Sequence, residues 1–551
     1  MAENRNRRHY FVAFRFFAPR LVALFSLTAL LLAPASLLAA DNDAEFELNL
    51  GLSNRFTVKK NHVERLLRFS PSANAFDTRS YLNPTLNEVY YGFRLLLGAG
   101  YSPTKWFRVG LTVDSGELNP TGRRPATTQI PIPNRLQPVL GATVPVPSTA
   151  NERQFSADGQ AIGDEAKQTF FVREAYLRFS APVTNWLSLS VGRRDSDVAS
   201  GLIYRDFGLG LSVSADLELL KDWPVRLSAQ VVLPTRNYKD GLHSPLVEFR
   251  ANYIISFLEQ AGLVFAYFHD GDNNLGQLFA PALSELGVST AGRLDQQVHN
   301  ILFGLGTSTA TTSEANLFWF GLEGNKLFGD LMISGTAILQ LGNIRLDNPF
   351  ADLSQLAQSA GLTVPSSIPR TPRLEFSSLA VAVDLSARYL ITEEISIGLF
   401  FLMLSGEQNP FSLTDPSQMG KFNAFLSVVP YITATNIFFS GGMNETFSGR
   451  QASIAGLNGR GVVAPGLTFE WEISDSLKVG SKAAALFSTA KSVHNGTFYG
   501  VEVDVEGSYE ITKWLAVSAE YDILAPGSFF SIRKPIHKVL LGVDLSYELS
   551  K

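Results

Sequence analysis

The feature that most constrains this chain is a two-residue hydropathy period, repeated in segment after segment from Phe46 onward. In Val501-Glu-Val-Asp-Val-Glu506 the valines fall on one face and the carboxylates on the other. Leu379-Ala-Val-Ala-Val-Asp-Leu-Ser-Ala-Arg388 and Val247-Glu-Phe-Arg-Ala-Asn-Tyr253 repeat the scheme. Successive side chains of a strand point to opposite faces, so this period reads as half-polar β-structure. The segments run to about ten residues, the length at which a tilted strand crosses a bilayer. No later apolar run is long enough for a spanning helix; Ile397–Leu404 is typical. At 45% hydrophobic and 18% charged the chain is also too apolar to stay disordered. Only helices and closed barrels satisfy every backbone group in lipid. The expectation is an all-β fold, a transmembrane antiparallel up-and-down barrel.

The turns give a second, independent signal. Six short polar turns have an aromatic residue or Leu before them and Trp or an aliphatic residue after: Tyr101–Trp106, Phe179–Trp186, Leu217–Trp223, Tyr389–Glu394, Trp471–Ser476 and Tyr509–Trp514. Trp106, Trp186, Trp223, Trp471 and Trp514 mark these turns, which leaves one tryptophan of the six elsewhere. Indole rings favour a membrane interface, where the ring is buried and the N–H stays wet. These five are expected to form one interfacial girdle. Further short turns fall near 258–260 and 326–330. Between them lie longer links at about 59–86, 118–167, 195–206, 235–245, 269–315, 344–374, 406–462, 489–496 and 525–536. Short and long alternate, one hairpin per long link. That predicts 18 strands with both termini on the short-turn, periplasmic side. The strand-like piece Ile301–Leu305 breaks this parity and is assigned to a loop.

Residues 1–40 read as an address rather than structure. Arg5, Arg7, Arg8, Arg15 and Arg20 precede the apolar Leu21–Leu32, and small residues follow up to Ala39-Ala40. Cleavage there leaves residues 41–551 as one barrel domain with long extracellular loops. It removes five arginines and Glu3, taking the formal charge from −5 to −9. That charge carries no nucleic-acid footprint. The partners expected are the outer-membrane lipid bilayer, the outer-membrane assembly machinery and small hydrophilic solutes, with the barrel monomeric.

A lumen this wide holds water, so the polar parity should point inward. Charge on the lipid side would cost about 2–4 kcal/mol per Arg or Lys at the midplane. The expected pore-lining residues are Arg94, Arg108, Asp114, Glu174, Arg178, Arg194, Arg226, Glu248 and Arg250 on one arc. Glu470, Lys478, Lys482, Glu502, Asp504, Glu506 and Asp522 lie on the other, with Glu45, Glu47, Glu472, Glu520 and Asp544. One arc is richer in Arg and the other in carboxylate. Two readings follow: a transverse field that sorts solutes, or an ion-pair lattice that braces the wall. Arg193, next to Arg194, shares its side only if a bulge intervenes. At least one long outer loop is expected to fold inward; 269–315 and 344–374 carry helix-like pieces at Ala280–Leu286 and Leu353–Leu362.

Catalytic and metal chemistry find no foothold in the sequence. Cysteine is absent, which excludes a disulfide framework, a thiolate metal site and a Cys nucleophile. The seven histidines are scattered, and no G-x-S-x-G elbow or P-loop occurs. His269-Asp270-Gly-Asp272-Asn273-Asn274 offers oxygen ligands without the spacing of a calcium loop and reads as a polar turn. No cofactor and no enzymatic activity are expected.

The C-terminal third resembles the alginate-export type of outer-membrane porin. Phe422-Asn-Ala-Phe425 through Pro430 to Asn444 looks like that family's folded loop before the last strands. Gly500-Val-Glu-Val-Asp504 with Tyr509, and Pro526-Gly-Ser-Phe529, look like its penultimate hairpin strand and the next outer loop. Val191-Gly-Arg-Arg194 is similar to its Val-Gly-Arg-Gln strand. The resemblance implies an 18-stranded monomeric barrel, with Arg193 or Arg194 in the pore. The −9 charge departs from the strongly basic channel of an anionic-polysaccharide exporter, and the ending Leu549-Ser-Lys551 departs from a terminal aromatic. The expected function is passive passage of small hydrophilic or charged solutes through a loop-constricted lumen. The alternative is a barrel with a closed lumen that serves as a binding scaffold through its outer loops.

Overall fold

Alternation of apolar and polar residues produces one continuous antiparallel wall. The computed structural model describes residues 44–60, 88–115, 171–181, 186–234, 244–256, 258–271, 313–347, 373–407, 420–428, 432–439, 459–491, 496–530 and 534–550, with five isolated two-residue pieces (130–131, 143–144, 154–155, 161–162, 453–454). The wall strands are β1 (Glu45–Lys60), β2 (Glu88–Thr104), β3 (Phe107–Asp114), β4 (Phe171–Ser180), β5 (Leu187–Val198) and β6 (Tyr204–Asp216). Next come β7 (Val225–Leu233), β8 (Leu246–Ser256), β9 (Glu259–Asp270), β10 (Ser313–Phe328), β11 (Leu331–Asp347) and β12 (Arg373–Leu390). The last six are β13 (Ile395–Leu404), β14 (Val462–Ser474), β15 (Leu477–Phe487), β16 (Phe498–Thr512), β17 (Leu515–Pro526) and β18 (Ile536–Ser550).

Each strand pairs with its neighbours in sequence, and β18 returns to β1 from Glu47↔Ser550 to Lys60↔His537. The sheet therefore has no open edge, and the barrel of 18 strands is closed. The eight short connections fall where the turn signals place them, for example at 105–106, 329–330, 475–476 and 513–514. The link at 217–224 carries one helical turn, Glu218–Lys221, that the sequence does not announce. β1 starts and β18 ends at the short-turn rim.

The outward face is apolar. Leu263 and Leu322 are cross-strand partners, each 61% exposed, and Leu399 faces Leu467 in the same way. Water would not tolerate such a belt; hydrocarbon requires it. Among the described residues no helix is long and apolar enough to span a membrane, so the strands do the crossing. This is a barrel of the outer-membrane type. Leu322→Arg, in the middle of β10, is expected to lower unfolding stability in lipid vesicles by about 2–4 kcal/mol, read as an earlier denaturant midpoint.

Trp106, Trp223, Trp471 and Trp514 are exposed and Trp186 half-buried, all at the short-turn rim, whereas Trp319 is wholly buried inside. Residues 1–40, Ala280–Leu286, Ile301–Leu305, Leu353–Leu362 and Asp272–Asn274 lie outside the described residues.

Candidate functional site

The inward face does not stay polar all the way round. On β9 to β14 the inward positions include Ala266, Phe268, Leu317, Trp319, Ile338, Ala380, Ala382, Leu402, Leu404, Val462 and Ala464, all buried. Apolar residues on both faces of a wall need a cover inside it. The cover comes from the link between β13 and β14, which folds into the barrel over residues 420–428 and 432–439; we call it the strap. Phe422, Phe425 and Leu426 of the strap are fully buried against this arc. An inward-folding outer loop is among the sequence expectations. The apolar arc it covers is not, and it corrects the reading of a uniformly polar lumen.

The strap is tied at three places. On the first side Lys421–Phe422 pairs in parallel with Ser377–Ser378 of β12. The Leu426 N–H donates to Gln340 Oε1 (2.9 Å), which also accepts Trp319 Nε1–H (3.1 Å), while Gln340 Nε2 donates to Ser378 Oγ (2.7 Å). All four groups are uncharged. In the middle Ser427 Oγ donates to the Leu202 carbonyl (2.7 Å) and the Val428 N–H to that of Ile203 (2.9 Å). Those carbonyls belong to the link 199–203 between β5 and β6, which also turns into the lumen. Ala199 and Ser200 both sit at φ 53° there, followed by Gly201 at φ 81°. A left-handed conformation costs a non-glycine residue about 1 kcal/mol or more. Burial of Leu202 and Ile203 on either side of that contact offsets it.

On the far side the strap meets carboxylates. Thr435 Oγ1 donates to Glu502 Oε2 (2.9 Å), and the Phe438 N–H to the same oxygen (2.9 Å). The Ile437 N–H donates to Glu502 Oε1. The Asn436 N–H donates to Asp504 Oδ2 (3.0 Å) and its Nδ2 to Asp522 Oδ1 (3.1 Å). Lys538 Nζ lies 2.5 Å from Glu520 Oε1 and 3.3 Å from Asp522 Oδ2. At the edge Lys482 Nζ donates to the Thr433 carbonyl (3.2 Å). Glu502, Asp504 and Asp522 thus face inward as the parity predicts, but they hold the strap instead of facing open water.

The other arc is a lattice of ion pairs. Arg94 and Asp114 form a buried bidentate pair, with Arg173 3.7 Å from the same carboxylate. Arg108 pairs with Glu47, and Arg226 with Asp216 (2.7 Å). Arg250 bridges Glu248 (2.8 Å), Glu323 (3.3 Å) and Asp197 (3.8 Å). Glu174 accepts from Thr112 Oγ1 (2.9 Å). A register shift between Thr112 and Val113 lets adjacent Arg173 and Glu174 both reach inward partners. Near the short-turn rim Arg388 pairs with Glu470 (2.6 Å) and Lys478 with Glu472 (2.8 Å). Glu506 lies across from Glu520 on β17 and from Gly480 on β15.

Arg178 and Arg194 differ from these. Arg178 donates to Ser188 Oγ (3.2 Å), and neither arginine has a carboxylate partner among the described residues. They are neighbours close enough to feel each other's charge. Arg193 takes the outward parity: it lies across from Leu209 and Ala175, and its Nε donates to the Arg173 carbonyl (3.1 Å). The sequence reading missed Arg55, Arg173, Asp197, Asp216, Glu323, Arg388, Lys538 and Gln340. Parity alone puts Arg388 and Lys538 inward. No local signal marks Gln340, whose partners are distant in sequence.

Among the described residues no group of three or more His, Cys, Asp or Glu is placed to hold a metal ion. His269 instead bonds through Nδ1 to Asn316 Oδ1 (3.0 Å) at the end of β9.

No family model and no curated protein sequence matches this chain. Solved structures do resemble it. Acinetobacter baumannii OccAB4 is 10% identical with a TM-score of 0.46, over 93% of this chain and 99% of that one. Pseudomonas aeruginosa OccK9 (OpdG) is 12% identical with a TM-score of 0.47, over 92% and 98%. Pseudomonas aeruginosa OccK11 (OpdR) is 10% identical with a TM-score of 0.42, over 92% and 96%. At such distance the fold reading stands on the closed register described above.

Proposed function

We propose that this protein is an outer-membrane channel through which small hydrophilic solutes pass passively, with the strap setting the narrowest part of the lumen. The observation that carries the reading is the strap itself, bonded to β11, to the inward link between β5 and β6, and to β16 and β17 of a closed wall wide enough to hold water. A barrel that only displayed outer loops would have no need of a segment tied across its bore. The short-turn rim, with both ends of the chain, is the periplasmic side in this reading. The barrel needs no second chain to close its wall, and in this reading it works as a monomer.

The charge left facing water sets the preference among solutes. Glu502, Asp504 and Asp522 are taken up by the strap and Glu520 by Lys538, and most inward arginines pair with carboxylates. Arg178 and Arg194 form no ion pair with a carboxylate among the described residues, and on this reading they favour small anions over cations. A salt gradient across a planar bilayer tests this through the reversal potential. The wild type should show an anion-selective sign, and Arg178→Ala with Arg194→Ala should bring the permeability ratio toward unity. A cation-selective wild type, or a pair of substitutions without effect, would contradict the assignment.

A further inference from the structure

The apolar arc that the strap covers ends at one level of the wall. Ile338, Ala382, Leu402 and Ala464 are buried. Two residues nearer the short-turn rim, the inward positions of β11 to β14 become Thr336, Asp384, Phe400 and Gly466. Asp384 stands across from Thr336 and Leu402, and Ser386 across from Ser334 and Phe400. Phe400 in turn faces Gly466, and Gly398 faces Thr468. At Gly466 a Cβ would lie 2.1 Å from Phe400 Cζ. The ring therefore leans along the wall, into the space of the missing side chain, instead of across the bore. It is half-buried, with its other side toward the lumen. The Thr468 hydroxyl leans over Gly398 in the same way. Together these residues form a shallow hollow about 10 Å wide over three strands. Its floor is the aromatic ring. Ser334 and Ser386, bonded to each other through their hydroxyls (2.6 Å), lie on one side and Thr468 on the other. Asp384 stands at the top. It is half-buried and takes no hydrogen bond or ion pair among the described residues. A ring laid over a glycine is explained by the cover it gives the wall. A half-buried carboxylate without a partner is not, because burial of such a group is costly.

We propose that this hollow, on the short-turn side of the strap, is a binding site for one ring of an uncharged sugar. The C–H face of a pyranose packs on Phe400, and its hydroxyls radiate around the ring edge to the polar groups that surround the aromatic floor. Asp384 accepts from two adjacent sugar hydroxyls, which satisfies its carboxylate. The hydroxyls of Ser386 and Thr468 serve as donors or acceptors to the others. Charge decides between a sugar and a charged solute. Besides Asp384, the ionised groups on this part of the wall are Arg388, Glu470 and Lys482. Arg388 binds Glu470 (2.6 Å) and Ser396 Oγ (3.0 Å). Lys482, across from Thr468, donates to the Thr433 carbonyl (3.2 Å). Two carboxylates and two cations balance, so neither an amine nor a carboxylate gains a net attraction here. A neutral polyol uses the ring, the carboxylate and the hydroxyls together. The way in is from the short-turn rim, where Arg388 and Glu470 are about half exposed.

The test needs no current. The full chain is folded in a detergent without a sugar headgroup, and saturation-transfer NMR is recorded with glucose and with maltose as probes. Saturable transfer to the sugar C–H protons is expected. Asp384→Asn should weaken binding by about tenfold, since hydrogen bonds to a charged acceptor are the stronger ones. Phe400→Leu should remove most of the transfer. Circular dichroism and gel mobility establish that each variant has folded. If Phe400→Leu misassembles, Asp384→Asn, which keeps the side-chain shape, carries the test alone. Glucosamine and glucuronate report on charge, and neither should bind more tightly than glucose. Absence of saturable transfer, transfer unchanged in the folded variants, or tighter binding of either charged sugar would overturn the proposal. The hollow lies below the strap, so its failure and that of the channel reading are separate results. Sugar binding with a silent bilayer removes the channel reading alone, and steady currents without sugar binding remove this proposal alone.

Discussion

Excising residues 408–458 and joining Glu407 to Gly459 through a short Gly-Ser turn is expected to raise single-channel conductance severalfold. The junction is feasible because the two ends already touch. The Glu407 N–H donates to the Gly459 carbonyl (2.7 Å), and Arg460 Nη1 to the Glu407 carbonyl (3.2 Å). At Gly406 a Cβ would fall 2.1 Å from the Arg460 backbone, so only glycine allows this approach. The excision removes the strap and leaves all 18 wall strands with their register. It also uncovers Phe268, Trp319 and Leu402, so the variant should unfold at lower denaturant as well. An unchanged conductance in a folded variant would mean that the strap does not set the narrowest part of the lumen.

The second large effect concerns stability. Arg94→Met is expected to cost about 3–5 kcal/mol, because it removes the bidentate partner of the fully buried Asp114, with Arg173 standing farther off at 3.7 Å. The companion double variant, Arg94→Met with Asp114→Leu, should recover most of that loss, since a buried ion pair gains little over apolar groups of similar size. Denaturant midpoints in lipid vesicles measure both. A single variant as stable as the wild type would show that water reaches this pair.

These two results probe parts of the molecule that were unequally legible in the sequence. The wall was readable because period two and the aromatic turn markers are local signals. Val501–Glu506 and Tyr509–Trp514 each declare a strand or a turn with no reference to the rest of the chain. The alternation of short and long links then gave the number of strands. The inward side of Glu502, Asp504 and Asp522 was readable for the same reason. Their task was not, because the groups they bind, Thr435 to Phe438, lie more than sixty positions away in an aperiodic segment. The apolar inner arc escaped notice in Leu379–Val383, where alanine and valine alternate and neither face is polar. The inward turn at 199–203 carries one glycine, and its two other left-handed residues, Ala199 and Ser200, are types that give no hint of that conformation. Arg193 and Arg194 show the opposite case, where parity separates two adjacent residues and the structure places only the second inward.

The account depends most on water running continuously through the strapped cylinder. Purified, folded wild-type protein added to a planar bilayer at neutral pH and high salt tests this directly. Uniform stepwise increments of current, each persisting under a held voltage, are the predicted result. A bilayer that stays silent while spectroscopy and gel mobility show the barrel intact would mean that the strap seals the lumen, and the channel reading would give way to a closed scaffold.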